Sequence, residues 1–369
     1  MEKIIFYSDA SNVGGHELMA VQMYRAIKDR FDVTFIISAS NSRFQEILTD
    51  AGCKFLTVDY CSHRLDILKS FFNTSDVAKL SELIRSMSPD LVVCLQGNIE
   101  ISFAGIKAAK KAGIAVWSYI PVCQPLKRVS SNRLTGVVKD QLRKVLYSKP
   151  DGFVTISDTQ ADYLKLSGSK KRVIVLRNYI DTSRLVKKDL LAAKTALGLN
   201  PARKVVGYVG RLEAHHKGLD RYIEFLTKSS RNYPDITFLF IGDGPLKNQI
   251  KKLAADNDNI LLHDWTQDLS AVYSAIDVLI MPSRFEGVSL TMLEGAYFGL
   301  PIIANSIPEF KEFIPESNLF EIQKDSEFSR ILNKCVAGDL STIEFDPAYS
   351  DFDKFRTNAI RTFETILSK

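Results

Sequence analysis

Two series of short apolar runs, separated by helical stretches, constrain the fold of this chain more than any other feature. The runs are rich in β-branched residues and polar only at their ends, which is typical of parallel strands covered on both faces. A chain of 369 residues has the length of two domains of about 150 residues or somewhat more. We therefore predict two doubly wound α/β domains. The runs are 4–7, 33–38, 54–58, 91–96, 114–120, 152–157 and 172–178 in the first series, and 205–211, 236–244, 260–265, 278–283 and 301–305 in the second.

The boundary between the predicted domains falls in the polar stretch 181–204, which has helical character and no strand run. We assign residues 1–183 to an N-terminal domain and residues 184–346 to a C-terminal domain. Doubly wound domains bind ligands outside the carboxyl ends of their strands. We therefore expect an interdomain cleft, with functional residues in the loops that directly follow strands.

Overall charge and cysteine content exclude several classes of protein. The 48 basic and 43 acidic residues leave a net charge of +5, which does not indicate nucleic-acid binding. Five scattered cysteines predict neither a disulfide framework nor a metal site. The apolar run near the N-terminus is too short for a signal peptide or a spanning helix. These features predict a cytoplasmic protein.

The first loop of interest, SNVGGHE (11–17), follows the first strand and carries Gly14 and Gly15. Paired glycines let a backbone approach a ligand closely, and the N-terminus of the next helix suits a phosphate. The alternative is a tight turn that simply needs glycine.

The second loop, GRLEAHHKG (210–218), carries Arg211 and Lys217 directly after a strand. Two cations on one loop can bind a nucleotide diphosphate and offset negative charge as it departs. An ordinary surface pair is the alternative. We interpret His215 and His216 as exposed loop residues, because no third metal ligand lies at a plausible spacing.

The third loop, FIGDGPLKNQI (240–250), is a strand followed by a turn that starts a helix, with Asp243 as a possible cap. A structural turn is the favoured interpretation, although the loop also opens onto the expected cleft. The segment DND (256–258) imitates a metal-binding Asp-x-Asp motif but lies between a helix and a strand, where a solvated turn explains it better.

The fourth loop, SRFEGVSLTMLEGAYFGLPIIA (283–304), has seven residues between Glu286 and Glu294. Glu286 lies at a strand end, and Glu294 lies about one turn inside a helix for which Ser289 is a plausible N-cap. A carboxylate there suits a ribose diol, and the free N–H groups at the helix start suit an anion. Two surface carboxylates of an ordinary helix are the alternative. The N–H groups are those of Gly287, Val288, Ser289 and Leu290.

Taken together, these loops resemble the retaining glycosyltransferases of family 4, which have the GT-B fold of two facing Rossmann-like domains. The resemblance covers most of residues 11–310 and includes the family's E-x7-E motif. It also implies that the terminal segment 347–369, an amphipathic helix, packs back on the N-terminal domain. The similar segments, in the family's order, are VGGHE, VTISDTQADYL, RVIVLRNYID, VGRLEAHHKGLD, IGDGPL and FEGVSLTMLEGAYFGLPIIA.

The resemblance implies an N-terminal acceptor-side domain and a C-terminal donor-binding domain. Glu286 is expected to hold sugar hydroxyls, Glu294 the ribose, and Arg211 with Lys217 the diphosphate, without a metal or other cofactor. Retention then proceeds by same-face attack of the acceptor. The candidate catalytic residues are Glu286, Arg211 and Lys217; the candidate donor-binding residues are Gly14, Gly15, Arg211, Lys217, Gly242, Asp243, Gly244, Trp265, Glu286, Gly287, Val288, Ser289, Leu290 and Glu294; His16 and Tyr119 are candidates for the sugar or acceptor side.

One departure from the family concerns the N-terminal domain. Many relatives carry a histidine near the sugar at the end of the fifth strand, where this chain offers Ser118, Tyr119 or Pro121. Hydroxyl groups can replace its hydrogen bond but not its charge. The departure bears on recognition of the donor.

A basic stretch, residues 127–150, mixes cations with apolar residues at helical spacing. Over residues 101–150, ten basic residues oppose Asp140 alone, a local charge of +9. Such a helix can lie on an anionic membrane or near a lipid-linked acceptor. A core-facing helix with a solvated basic side is an equal alternative. The ten are Lys107, Lys110, Lys111, Lys127, Arg128, Arg133, Lys139, Arg143, Lys144 and Lys149.

The expected substrates are a UDP or GDP sugar and a glycan or lipid-linked acceptor, at the cytoplasmic face of the bacterial inner membrane. The resemblance favours synthesis of a surface polysaccharide or lipopolysaccharide. Two alternatives stay open. A catalytically silent partner protein would be favoured by loss of the paired cations or acids, all of which are present, and a sugar-nucleotide epimerase would need acid/base groups beyond His16.

Overall fold

The computed structural model describes residues 1–59, 74–126, 133–266 and 268–368. It divides into two compact units. Unit 1 comprises Met1–Tyr179 and Asp351–Lys369, and unit 2 comprises Ile180–Ser350. The division lies a few residues before the boundary that the polar stretch suggested, because the segment after Tyr179 already packs within unit 2.

Unit 1 is built on a seven-stranded parallel sheet with the strand order β3-β2-β1-β4-β5-β6-β7. Its central strands are buried on both faces, which explains their continuous apolar runs. The strands are β1 Lys3–Ser8, β2 Asp32–Ser38, β3 Lys54–Val58, β4 Leu91–Leu95, β5 Ala115–Tyr119, β6 Gly152–Thr155 and β7 Arg172–Val175. The described helices between them are α1 Gly15–Ile27, α2 Ser42–Asp50, α3 Thr74–Met87, α4 Phe103–Ala112, α5 Arg133–Tyr147 and α6 Asp158–Leu166.

Unit 2 repeats the architecture with a six-stranded parallel sheet in the order β10-β9-β8-β11-β12-β13. The last strand was not predicted, since two residues are too short to give a pattern. The strands are β8 Lys204–Val209, β9 Ile236–Ile241, β10 Ile260–His263, β11 Val278–Met281, β12 Ile302–Asn305 and β13 Leu319–Phe320. The helices are α7 Leu190–Ala196, α8 Leu219–Ser229, α9 Lys247–Ala255, α10 Leu269–Ala275, α11 Leu290–Phe298, α12 Pro308–Lys311 and α13 Asp325–Ala337.

The strand order of each sheet changes direction at one point, between β1 and β4 in unit 1 and between β8 and β11 in unit 2. Ligands of doubly wound sheets bind at such switch points, outside the carboxyl ends of the strands. Three of the loops singled out in the sequence, those after β1, β8 and β11, follow strands that flank these points. The topology therefore brings the second and fourth loops together within unit 2.

The terminal helix, α14 (Phe352–Leu367), belongs to unit 1 and packs against α1. The ring of Phe363 lies 5.8 Å from that of Phe6 and 6.2 Å from that of Phe31, measured between centroids. An ion pair of 3.2 Å between Arg356 and Asp29 adds a polar contact. Burial of aromatic rings holds the end of the chain on the first unit.

Candidate active site

Arg284 joins the second and fourth loops of unit 2. Its backbone N–H donates to the carbonyl oxygen of His216 at 2.9 Å, and its Nη1 donates to that of Ala214 at 2.9 Å. The same guanidinium forms a two-point pair with Asp220, at 2.7 and 2.8 Å. Bidentate arginine–carboxylate pairs fix geometry well. Neither residue was a sequence-based candidate, yet this clamp sets the position of Lys217.

Gly218, at the end of the second loop, lies against Pro282, the residue before the fourth loop. Its φ of +67° is left-handed, and a Cβ built on it would lie only 2.0 Å from the carbonyl oxygen of Pro282. A backbone oxygen cannot move aside as a flexible side chain can. Only glycine permits this approach.

Glu286 occupies a buried position beside the ammonium group of Lys217. Its Oε1 accepts from Lys217 Nζ at 2.6 Å and from the Ser283 hydroxyl at 2.7 Å, and its Oε2 lies 3.6 Å from Nε2 of His216. Burial by itself would raise the pKa of Glu286, but the Lys217 ammonium and the His216 ring outweigh it and hold the pKa well below its ordinary value. The carboxylate therefore stays ionised at neutral pH.

His216 differs from its sequence-based interpretation as an exposed loop residue. Its side chain is only 17% exposed and stacks on Phe285, with ring centroids 4.4 Å apart and planes within 2°. Burial and the charge of Lys217 lower the pKa of His216 against the opposing effect of Glu286. The ring is therefore neutral at pH 7. His215, by contrast, is exposed as expected.

Arg211 follows β8 directly and keeps a partly exposed side chain. Its guanidinium pairs with the buried Glu213 at 2.5 Å, and its carbonyl oxygen accepts from the Tyr208 hydroxyl at 2.7 Å. Glu213 thus fixes Arg211 as Glu286 fixes Lys217. The second loop presents two cations, each oriented by a buried carboxylate.

The third loop packs on the second through its backbone. Leu212 donates to the carbonyl oxygen of Asp243 at 2.8 Å, and a Cβ on Gly242 would lie 1.9 Å from the carbonyl oxygen of Gly210. Gly244 makes a similar close approach to Leu212. These contacts support the interpretation as a structural turn.

The expectation that Asp243 caps the following helix is wrong. Leu246 is the N-cap of α9, and the carboxylate of Asp243 instead accepts from the N–H of Gly244 at 2.8 Å. The Gly-Pro turn adds residues between Asp243 and the helix start, which places the carboxylate too far back to cap it.

Trp265, a candidate for donor binding, lies two residues beyond β10 and has 42% of its surface exposed.

The segment DND lies at the end of α9, in the turn before β10. Asp256 is the C-cap of the helix, and the largely exposed Asp258 pairs with Arg203 at 2.9 Å. These positions agree with a solvated turn. Within the ranges that the structure describes, no three or more His, Cys, Asp or Glu side chains are grouped as metal ligands.

The helix that carries the second acid of the motif is α11. Ser289 is its N-cap and accepts from the N–H of Met292 at 3.4 Å, as the sequence predicts. Glu294 lies further along the helix, where the Tyr273 hydroxyl donates to its Oε2 at 2.6 Å. Burial raises the pKa of Glu294 to about 7, against a smaller lowering effect of that hydrogen bond. The two acids therefore lie in opposite electrostatic environments.

In unit 1 the first loop is organised by Glu17, which was not a candidate. Its fully buried carboxylate accepts from the N–H of Gly14 at 2.7 Å and from the Ser8 hydroxyl at 3.1 Å. Gly14 has an extended backbone with φ −125°, so its conformation alone does not require glycine. A Cβ there would, however, lie 3.2 Å from the ring of His16. Close packing explains Gly14 better than a tight turn does.

An imidazole does lie at the carboxyl edge of the sheet of unit 1, supplied by α1 instead of β5. Nε2 of His16 is 2.7 Å from Glu17 Oε1, and the ring lies against Gly97, the second residue after β4. Ser118 is committed to a hydrogen bond with Gln96. The buried hydroxyl of Tyr119 has no hydrogen-bond partner among the described residues, and burial raises the pKa of Tyr119.

Two family models match the chain. The model of Glycosyltransferase Family 4 matches residues 13–184, and that of the glycosyl transferases group 1 matches residues 203–336. The chain belongs to the family 4 glycosyltransferases. The first match lies mainly on unit 1 and the second on unit 2, so the two models cover the second, third and fourth loops and every strand except β1.

The sequence is also similar to those of individual glycosyltransferases. The lipopolysaccharide core biosynthesis mannosyltransferase LpsB of Rhizobium meliloti is 32% identical over 50% of this chain, a match that spans about half of the relative, 52%. An uncharacterized glycosyltransferase of Haemophilus influenzae is 24% identical over 85% of this chain and 84% of its own length. A UDP-Gal:alpha-D-GlcNAc-diphosphoundecaprenol alpha-1,3-galactosyltransferase of Escherichia coli is 29% identical over 48% of each chain.

Two solved structures share the fold of this chain. HepE of Anabaena, in complex with UDP-glucose, superposes with a TM-score of 0.78 at 18% identity, over 99% of this chain and 100% of that one. Sucrose-phosphate synthase of Thermosynechococcus elongatus gives 0.71 at 16% identity, over 100% and 96%. The predicted GT-B class, two Rossmann-like α/β domains, is confirmed.

The basic stretch is described from residue 133 onward, where it forms α5; residues 127–132 lie outside the described ranges. Part of the local charge of residues 101–150 is neutralised by the acids on either side of that segment, Glu100 and Asp151. Arg143 pairs with Glu100 at 2.5 Å, and Lys110 pairs with Asp151. The helix nevertheless exposes an apolar stripe beside exposed lysines. The stripe comprises Val138, Leu142 and Val145, and the lysines are Lys139 and Lys144.

Proposed function

We propose that this family member is a retaining glycosyltransferase that moves a sugar from a nucleotide-diphosphate sugar to an acceptor hydroxyl. The observation that carries the proposal is the buried contact between Lys217 and Glu286 at the switch point of unit 2. It sets an ionised acid beside a cation at the edge where doubly wound sheets bind ligands. The same loop presents Arg211, and α11 presents Glu294.

Glu286 would hold the hydroxyls of the donor sugar near the anomeric carbon. An ionised carboxylate accepts hydrogen bonds only, and sugar hydroxyls are donors. Because Lys217 and Ser283 both bond Oε1, the carboxyl group is fixed before the donor arrives. Fixed groups of this kind stabilise a transition state without reorganising.

Lys217 and Arg211 would bind the diphosphate, together with the N–H groups at the start of α11. The acceptor oxygen bonds to the anomeric carbon on the face from which the diphosphate leaves, and the breaking bond gives its electrons to the phosphate oxygen. A β-phosphate oxygen then takes the proton of the acceptor. The two cations and the helix terminus offset the departing charge, so the proposed reaction uses no metal.

Donor binding should strengthen with pH because of Glu294. Its ionised form accepts both ribose hydroxyls, and its pKa of about 7 means that the ionised fraction rises through neutrality. From pH 6 to pH 8 the affinity for a nucleotide-diphosphate sugar should increase about tenfold, as expected for one titrating group. Calorimetric titrations at several pH values measure this change.

The matched control for this pH dependence is Glu294→Gln, which keeps the shape of the side chain without the charge. Its affinity should be lower than that of the wild type at pH 8 and flat across the range. A variant that keeps the full pH dependence would contradict the assignment of the titration to Glu294. The titrations use nucleotide sugars because the terminal phosphate of a free nucleotide diphosphate itself titrates near pH 6, which would add a second pH dependence.

The nucleotide and sugar are proposed from the relatives. HepE was solved with UDP-glucose, and LpsB is described as a mannosyltransferase of lipopolysaccharide core biosynthesis. We infer a UDP or GDP sugar as donor and a glycan or lipid-linked acceptor in surface-polysaccharide synthesis. A thermal-shift screen of UDP, GDP, ADP and their sugars identifies the donor, because a bound nucleotide raises the melting temperature.

Incubation of the protein with the selected nucleotide sugar, without acceptor, tests the reaction class. A transferase should slowly release nucleotide diphosphate, with water as the acceptor. Epimerised nucleotide sugar would instead show the alternative chemistry. No nucleotide binding at all would favour a catalytically silent partner protein, despite the intact pairs of Lys217 with Glu286 and of Arg211 with Glu213.

We also propose that unit 1 contacts an anionic membrane surface through α5, on the cytoplasmic side. Val138 is 63% exposed, Val145 45% and Leu142 41%, and the three lie at helical spacing beside exposed lysines. Apolar side chains at an interface with nearby cations suit anionic lipid. None of the helices in the described ranges has the length and apolarity to span a bilayer, so the proposed contact is interfacial.

Val138→Asp should reduce co-sedimentation with anionic liposomes at low salt by several-fold, since the change adds a repelled charge and removes apolar area. The matched control is Val186→Asp in unit 2, where a valine is 61% exposed. If both variants sediment like the wild type, or if the wild type does not sediment, the membrane proposal fails.

A further inference from the structure

A buried nitrogen without a hydrogen-bond partner lies beside the acid that we assign to the donor sugar. Nε2 of His216 has no such partner among the residues that the structure describes, and it is 3.6 Å from Oε2 of Glu286, longer than a hydrogen bond. Buried polar atoms of native proteins are nearly always paired. A ligand group that completes the pairing explains the exception.

The imidazole of His216 is held in place from three sides. The ring stacks on Phe285, and the backbone carbonyl oxygen of His216 accepts from the N–H of Arg284. The next residue, Lys217, is hydrogen-bonded to Oε1 of Glu286. The ring therefore cannot turn toward another partner without breaking the stack. Nε2 of His216 therefore stays close to Oε2 of Glu286, whereas Lys217 and Ser283 bond the other oxygen, Oε1.

The two atoms match one hydroxyl group. A hydroxyl can accept one hydrogen bond while it donates another. At ordinary lengths of about 2.8 Å to each atom, a single oxygen spans a gap of this size. Burial and Lys217 keep the ring neutral, so in the tautomer with hydrogen on Nε2 it can donate while the carboxylate of Glu286 accepts.

We propose that His216 is a specificity-determining residue for the donor sugar, whose Nε2–H donates to a sugar hydroxyl that itself donates to Oε2 of Glu286. This inference rests on the proposed function and adds to it a residue that selects the donor by one hydroxyl. A site built to bond a hydroxyl rejects the analogue that lacks it much more strongly than an apolar site does.

The test compares His216→Phe, which keeps the stack on Phe285 but removes the nitrogen, with His216→Asn, which keeps a donor. Calorimetry measures the binding of UDP-glucose and UDP, or of GDP-mannose and GDP, whichever pair the thermal-shift screen selects. His216→Phe should weaken binding of the nucleotide sugar about tenfold and leave that of the nucleotide diphosphate within about twofold. His216→Asn should restore part of the loss, and His215→Phe, at the exposed neighbour, should change neither.

Deoxy analogues of the same nucleotide sugar identify the hydroxyl. One analogue should bind the wild type about tenfold more weakly, and His216→Phe should cause no further loss with it, because both changes remove the same contact. A merely structural role for His216 would weaken every analogue and the free diphosphate alike.

Two failures are distinguishable. If the wild type binds neither nucleotide sugars nor nucleotide diphosphates, the proposed function falls and this inference falls with it. If the wild type binds them and the folded variant His216→Phe binds the nucleotide sugar equally well, the inference alone is overturned.

Discussion

Glu286→Gln is expected to lower kcat for sugar transfer by about 10²- to 10³-fold, the effect of removing one preorganised electrostatic group from an active site. The side chain keeps its shape, but it loses the charge that Lys217 and the sugar hydroxyls share. Nucleotide-diphosphate binding should stay within about twofold, since Glu286 is assigned to the sugar and not to the nucleotide. Steady-state transfer assays and calorimetry with the free diphosphate measure the two quantities.

Glu294→Gln is the matched control for that result, because the same chemical change is made at the second acid of the same motif, eight residues further along the chain. It should weaken nucleotide binding and raise KM, with most of kcat recovered at saturating donor. Opposite patterns in the two variants would support separate contacts with sugar and ribose. Undiminished transfer by Glu286→Gln would remove Glu286 from the mechanism.

The strands of this chain and the loops that follow them could be predicted from the sequence, because both depend on the local pattern of apolar and polar residues. The apolar runs 205–211 and 278–283 predict β8 and β11, and parallel strands end at the same edge of a sheet. Lys217 and Glu286 were therefore expected near each other before any contact was known. Ser289 was recognisable as an N-cap because capping also depends on a few neighbouring residues.

Partners that come from distant segments were not predictable in the same way. Asp220 lies 64 residues from Arg284, and Tyr273 lies 21 residues from Glu294. Nothing in the local pattern of either residue indicates the pair. His216 was misjudged for this reason, since its burial depends on Phe285 from another loop. The one signal in the sequence was that His216 directly precedes Lys217 and Phe285 directly precedes Glu286.

The pKa values of the two acids also depend on such partners. Both carboxyl groups experience burial, which alone raises a pKa. Lys217 and His216 reverse the effect of burial at Glu286. At Glu294 the hydrogen bond from the Tyr273 hydroxyl lowers the pKa by less than burial raises it. The spacing E-x7-E therefore identifies the acids but not their charge states, which are set by side chains of the second loop and of α10.

Gly218→Ala is expected to destabilise the protein by about 3 kcal/mol or more, in the range of severe backbone and packing defects. Its new Cβ would lie 2.0 Å from the carbonyl oxygen of Pro282, at a φ of +67°. The second loop would have to withdraw from the fourth, which also carries Lys217 away from Glu286. Urea denaturation gives the stability, and transfer assays on the folded fraction give the second effect.

Gly299→Ala separates the clash from the backbone strain. Gly299 has a similar φ of +75° at the end of α11, but a Cβ there would meet no atom within 4 Å. Its cost should be about 1 kcal/mol, the penalty of a left-handed conformation alone. Equal denaturation midpoints for the two variants would show that the loops can separate without penalty. A much lower midpoint for Gly218→Ala, with transfer lost, would show that the approach of Gly218 to Pro282 holds Lys217 against Glu286.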